Sequence, residues 1–304
     1  RFLSNVLLEK GMRVIGLTQN REKTLEKLRF DLADKIEIRA FDYSKPEGIK
    51  AVISEVKPRC VFNFAAKSTG SGMFDEPREM HSLNAYFPLL ILEAISELDD
   101  PSEITFIQAS SREMFGNVAE SHVNEMTPLR PISPYGAAKA YVHHMIGVYR
   151  QQFSMRCGSA IFFNHESIYR SPQFITRKIA NAAVAIKLGH QQHVELGDLS
   201  IQRDWGYAPD FARGLYLMAS QNDVQDYVFA TGKLSTIQDV VDIAFSHLDL
   251  DQRKHVRVNP KFIRKIDTPA FTADTTKIRD DLGWQHMTSL KEIITEMVDY
   301  EIER

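Results

Sequence analysis

Short apolar segments alternate with helical ones through the first half of the chain, and no other feature restricts the fold as tightly. "RVIGLT" (13–18), "KIEIRAFD" (35–42), "CVFNFAA" (60–66), "EITFIQASS" (103–111) and "GSAIFFN" (158–164) read as strands. "TLEKLRFDLA", "EGIKAVISEVK", "SLNAYFPLLILEAISEL" and the stretch around "SPYGAAKAY" (133–141) carry helical spacing between them, with Pro88 interrupting the third. Strands this continuously apolar must be covered on both faces, and crossover helices are what covers them. The pattern predicts an α/β fold built on a doubly wound parallel sheet.

The opening residues are helical too. Leu3, Val6 and Leu7 form an apolar stripe, and Gly11 stands where a left-handed cap is needed. A doubly wound, Rossmann-like sheet starts with a strand and a glycine-rich turn ahead of such a helix, so that strand and turn are expected immediately before Arg1. Beyond residue 165 the alternation gives way to the helix "FITRKIANAAVAIKLGH" and a strand, loop and helix over "HVELGDLSIQRDWGYAPDFARGLYLMAS". A returning strand at "DYVFATG" and two helices, "TIQDVVDIAFSHL" and "SLKEIITEMVDYEI", follow. This predicts a smaller, interleaved C-terminal domain that caps a substrate. The expected division is 1–163 with about 194–232 as a dinucleotide-binding domain, and 164–193 with 233–304 as a substrate domain.

A net charge of −3 over 304 residues lacks the basic excess of a nucleic-acid binder. No apolar run approaches the ~20 residues of a membrane span, and the start is too short and polar for a signal core. Cys60 and Cys157 lie in strand-like stretches without metal spacing, which reads as two reduced thiols in a cytoplasmic protein. No metal site is predicted.

Tyr135 and Lys139 stand four apart on a predicted helix and so share a face. An ammonium beside a phenol favours the phenolate, which makes Tyr135 a general base for a hydroxyl proton as hydride leaves the same carbon. Ser111 ends the strand "TFIQAS", at the carboxyl edge where open sheets bind ligands, and Glu113 follows two residues later. Taken singly, Ser111 is a turn serine, Glu113 a solvated carboxylate and the Tyr–Lys spacing a surface pair. Their common setting after four sheet strands favours a site. A simple alcohol oxidation needs no carboxylate, so Glu113 asks for a further proton transfer.

"QASSREMFG", "SPYGAAKAY", "FFNHES", "FITRKIA", "GDLSIQRDWGYAPDF" and "ATG" together resemble the GDP-mannose 4,6-dehydratases, an extended branch of the short-chain dehydrogenase/reductase superfamily. The likeness runs from residue 1 almost to the C-terminus, and "FNHES" followed by "TRK" and "RDWG" is more specific than the tyrosine–lysine pair. The resemblance implies a lyase in which bound NADP+ takes hydride from sugar C4 and returns it to C6, with water lost between. It implies that Tyr135 is the base at O4, Lys139 its electrostatic support and ribose contact, Ser111 a hydrogen-bond partner at O4, and Glu113 the acid/base for C5 and O6. By the same likeness Asp42, Phe64, Ala65, Ala66, Ser68, His165 and Arg170 match cofactor contacts. Asn164, Lys178, Arg203 and Arg264 match residues that hold the nucleotide diphosphate and sugar, a task that suits the planar fork of arginine. A nucleotide-sugar substrate and a homodimer or homotetramer follow from the resemblance, with helices around 84–98 and 135–152 forming the interface.

The chain departs from the family pattern at Ser111, where threonine is more frequent, and at Gln19 and Asn20, where paired arginines hold a 2′-phosphate. It departs again at Lys67, "TGSG" (69–72), Ile168, Tyr169 and Asp267. No acid follows the first strand before Glu22, which favours NADP, while the replaced arginines leave NAD open. The alternatives are a related sugar-nucleotide reductase or epimerase, and a catalytically silent dinucleotide-binding relative.

Overall fold

The structure, a computed structural model, describes residues 1–28, 32–68, 74–263 and 268–304. It opens with α1 (Phe2–Glu9), which ends at Gly11; the φ of +72° there is the left-handed conformation that only glycine adopts without strain. Then come β1 (Ile15–Thr18), α2 (Arg21–Leu28), β2 (Glu37–Ala40), α3 (Ile49–Val56), β3 (Cys60–Asn63), α4 (Pro77–His81), α5 (Phe87–Ser96) and β4 (Thr105–Ser111). A single π-helical turn at Ser82–Tyr86 joins α4 to α5, directly ahead of Pro88, whose nitrogen cannot donate an α-helical bond. β5 (His122–Val123), α6 (Pro134–Phe153), β6 (Arg156–Phe162), β7 (Asn164–Glu166), α7 (Ile175–Lys187), β8 (Val194–Leu196), β9 (Gln202–Arg203), β10 (Trp205–Tyr207) and α8 (Ala208–Ala219) follow. The chain closes with β11 (Tyr227–Phe229), β12 (Ser235–Thr236), α9 (Ile237–His247), α10 (Gln252–His255), β13 (Val256–Val258), β14 (Thr272–Ala273), α11 (Thr276–Leu282) and α12 (Leu290–Ile302).

Two units result. Residues 1–114, 131–161 and 212–227 form the first, and 115–130, 162–211 and 228–304 the second. This differs from the division expected from sequence: 115–130, 162–163, 194–211 and 228–232 go with the second unit. The reason is strand pairing. β5 pairs with β14, β8 with β13 and β9 with β12, so these short strands are bonded within the second unit.

The first unit holds two parallel ladders. One is β1–β2; in the other β3 and β4 pair in parallel, and β6 lies on the far side of β4. Ile49 and Ile53 of α3, Phe87, Ile91 and Ile95 of α5, and Val142 and Ile146 of α6 bury themselves with Phe106 of β4 in one core. Each such side chain contributes roughly 1.5–3 kcal/mol by leaving water. In the second unit α7, α9 and α12 share a core that includes Ile179, Ala183, Val240, Phe245, Ile293 and Met297. Capping boxes, Thr236 with Asp239 and Ser289 with Glu292, start α9 and α12. Among the described residues no helix is long and apolar enough to cross a membrane. Cys60 and Cys157 are both unbridged, and burial pushes the Cys157 thiol up to about 12.

Candidate active site

β4 delivers Ser111 to the carboxyl edge of its ladder, and a 3-10 turn over Arg112–Met114 carries Glu113. The Ser111 hydroxyl oxygen accepts the Glu113 N–H at 3.3 Å, which leaves the serine O–H available as a donor. α6 starts beside this turn. Ser133 caps it by accepting the Gly136 N–H at 3.0 Å, and Pro134 occupies its first position. A Cβ on Gly136 would lie 2.4 Å from the Glu113 carbonyl oxygen and 3.2 Å from the Pro131 Cβ. Only glycine allows this approach, and it brings the residue after Tyr135 against the backbone of Glu113.

Lys139 follows one helical turn later and is 1% exposed. Its Nζ lies 5.7 Å from the centroid of the Tyr135 ring and donates to the Ala109 carbonyl at 2.8 Å. Burial lowers its pKa to about 7. Among the described residues the Ala109 carbonyl is its one hydrogen-bond acceptor, so two further ammonium N–H groups have none in the protein. The four residues expected to carry the chemistry thus lie on two adjoining pieces of the first unit.

The turn after β3 runs along the same edge, because β3 and β4 are neighbours in register. Asn63 Oδ1 accepts the Ala65 N–H at 3.1 Å and shapes the turn; Phe64 is 51% exposed, Ala65 and Ala66 are half-buried, and Ser68 is exposed. Asp42 follows β2, exposed, and accepts the Ser44 N–H and O–H at 2.9 and 2.6 Å, bonds that hold its carboxyl below the usual carboxylate range. Asn20 caps α2 through the Lys23 N–H at 2.8 Å, and Arg21 Nε donates to the Ile38 carbonyl at 3.0 Å.

In the second unit Asn164 Nδ2 donates to the Asp204 carbonyl at 3.1 Å, which places Asn164 next to the segment carrying Arg203. Arg203 Nη1 donates to the Gln202 carbonyl at 2.7 Å. Lys178 Nζ donates to the Glu195 carbonyl at 2.7 Å and lies 4.4 Å from the Phe262 ring centroid. Arg264 falls outside the described residues, as do "TGSG" and Asp267. His165 Nδ1 donates to the Phe163 carbonyl at 3.1 Å, and its ring packs against those of Phe162 and Phe211, which also contact each other. Burial pushes its pKa to about 4, so the ring is neutral and Nε2 is an acceptor. Arg170 pairs with the buried Glu166 at 3.2 Å and stacks 3.5 Å over Phe174.

Two residues given no role by the sequence adjoin Lys139 through the Ala109 carbonyl. Asn63 Nδ2 donates to Gln108 Oε1 at 2.9 Å, and Gln108 Nε2 donates to the Ala109 carbonyl at 2.8 Å, the same oxygen that Lys139 uses. A weak signal was present: each is the one amide side chain of its strand, Asn63 after the apolar "VF" of β3 and Gln108 after the apolar "FI" of β4.

Comparison with known proteins points one way. The family model described as GDP-mannose 4,6 dehydratase matches residues 1–297. A GDP-mannose 4,6-dehydratase of Sinorhizobium fredii (strain HH103) is 34% identical over 322 residues, covering 98% of this chain and 92% of that protein. The GDP-mannose 4,6 dehydratase of Homo sapiens is 29% identical over 327 residues, covering 99% and 88%. Among solved structures, UDP-glucose 4-epimerase of Thermotoga maritima, with UDP-glucose, has a TM-score of 0.84 at 22% identity, covering 98% of this chain and 93% of its own. The dTDP-glucose 4,6-dehydratase of Bacillus anthracis, in complex with NAD, has a TM-score of 0.81 at 17% identity, covering 98% and 91%. At such identities the two structures speak for the Rossmann-like α/β fold alone. The family match spans nearly all of the sequence, and on that ground the chain belongs to the GDP-mannose 4,6-dehydratase family.

Proposed function

We propose that the protein is a lyase that dehydrates a nucleotide sugar, GDP-mannose, to its 4-keto-6-deoxy form with NADP as resident cofactor. The observation that carries this is the glycine contact between Gly136 and Glu113, which joins the tyrosine–lysine helix to a carboxylate-bearing turn. A reductase or epimerase has no use for that carboxylate.

The first unit fits a dinucleotide. Its buried ammonium has two N–H groups without a protein acceptor among the described residues, and the turn after β3 offers small residues and an exposed aromatic. When bound, the nicotinamide supplies an acceptor for the C4 hydride and gives it back at C6. Tyr135 takes the O4 proton, and the Lys139 ammonium stabilises the phenolate. The Ser111 O–H donates to O4, since its oxygen already accepts the Glu113 N–H. The C4 ketone acidifies the C5 proton; Glu113 removes it and protonates the C6 hydroxyl as water departs.

The remaining roles follow in the same reading. Asp42, Phe64, Ala65, Ala66 and Ser68 hold the cofactor with His165 and Arg170, and the first unit is the dinucleotide-binding one. Asn164, Lys178, Arg203 and Arg264 hold the diphosphate and sugar. Thr18, Gln19 and Asn20 put no acid after β1, which supports NADP over NAD. The protein works in the cytoplasm as a homodimer or homotetramer.

Incubation with GDP-mannose and NADP+, followed by alkali, tests this. An absorbing 4-keto sugar is expected, and nucleotide released from the purified protein should be NADP. Failure to form product from any nucleoside-diphosphate hexose would overturn the proposal. Net consumption of NADPH, or a C4 epimer, would assign a reductase or epimerase instead.

A further inference from the structure

We infer that Asn63 and Gln108 form a positioning relay that sets the Lys139 ammonium and the turn after β3 as one piece. The polarity of the relay has a single solution. Its far end is the Ala65 N–H, which can only donate, so Asn63 must present Oδ1 there, at 3.1 Å. That turns Asn63 Nδ2 toward Gln108, whose Oε1 accepts it at 2.9 Å. Gln108 Nε2 then faces the Ala109 carbonyl, which can only accept, at 2.8 Å. Two main-chain groups of opposite polarity therefore fix both amides, and neither can flip without facing like against like.

The near end is where the relay meets chemistry. A carbonyl oxygen has two lone pairs. Gln108 takes one on Ala109, and Lys139 Nζ takes the other at 2.8 Å. Parallel pairing places Asn63 and Gln108 directly opposite each other. Exposures of 4% for Asn63, 0% for Gln108 and 1% for Lys139 keep the three side chains from bulk solvent. An apolar pair of the same shape would satisfy this part of the sheet nearly as well, because buried amides gain little net stability. What the amides add is direction. They carry the conformation of the Phe64–Ala66 turn to the oxygen that holds the lysine beside Tyr135. Both are positioning residues; neither touches the reacting atoms.

The consequence for turnover rests on the dehydratase reading, so the test has two arms. In the kinetic arm Gln108→Glu keeps the shape but loses the donor to Ala109, and Asn63→Ala cuts the relay at its middle. Each should lower kcat about tenfold with the KM for nucleotide sugar within about twofold, and the double variant should be no slower than the worse single one. Full kcat, or losses that multiply, would overturn the relay. In the second arm, hydrogen exchange of the Ala65 amide should accelerate at least about tenfold in Gln108→Ala, with weaker NADP+ binding. Exchange and binding at wild-type values would overturn the relay equally. This arm needs no sugar, so a wild-type protein without turnover would sink the dehydratase reading and still leave the relay decided.

Discussion

Lys139 and Lys178 both donate to a strand carbonyl, at 2.8 and 2.7 Å, yet the two regions around them differ in kind. Lys139 is 1% exposed, its acceptor is shared with a buried amide, and the helix that bears it is locked by a glycine contact. Lys178 is half-buried at the edge of the second unit, over an exposed phenylalanine. In the function proposed above, the first setting fixes an ammonium for proton chemistry, and the second holds one whose remaining donors serve a phosphate. Geometry that must be accurate is built from buried, mutually dependent parts, while geometry that gathers charge is left adjustable.

Four substitutions would break or sharpen that contrast. The largest effect is expected at Glu113→Gln, where kcat should fall about 10³-fold with cofactor binding intact, read by single-turnover kinetics. Lys139→Met should be next, on stability as well as rate. Burial lowers this lysine to about 7 from an unfolded value of 10.5, so the unfolded chain binds more protons between those values. The cost of the buried charge is complete below pH 7 and fades as pH rises toward 10.5. The variant should therefore be about 2–4 kcal/mol more stable than wild type at low pH, with the gap closing in alkali, as urea titrations across pH would show. Gly136→Ala should cost about 1–3 kcal/mol and about 10² in kcat, because its Cβ displaces Glu113. Lys178→Met should raise KM about tenfold and leave kcat within about twofold. A kcat loss at Lys178 as deep as that at Lys139 would erase the contrast.

Most of this frame was legible in the sequence. The strands of the first unit announced themselves as apolar runs, and their boundaries shrank by only a few residues, as at "KIEIRAFD", which keeps Glu37–Ala40. Pro88 signalled an irregularity in this helix, but periodicity could not show that the irregularity is a π-turn at Ser82–Tyr86 and that Pro88 itself lies within the first turn of α5. The second unit was harder. β9 and β12 are two residues each, too short for alternation to register, and their pairing moved the unit boundary. At the site, Ser111, Glu113, Tyr135 and Lys139 stood out by spacing. Asn63 and Gln108 did not, because a polar residue in an apolar run gains meaning only when strand register sets two of them opposite each other.

The central claim is that the reaction borrows a hydride from the sugar and gives it back to the same molecule around an elimination. GDP-mannose carrying deuterium at C4 tests it most directly. The account predicts a 4-keto product with the label at C6 from the wild-type protein. A product that keeps the label at C4, and so carries no ketone there, or a 4-keto product lacking it altogether, would contradict the claim.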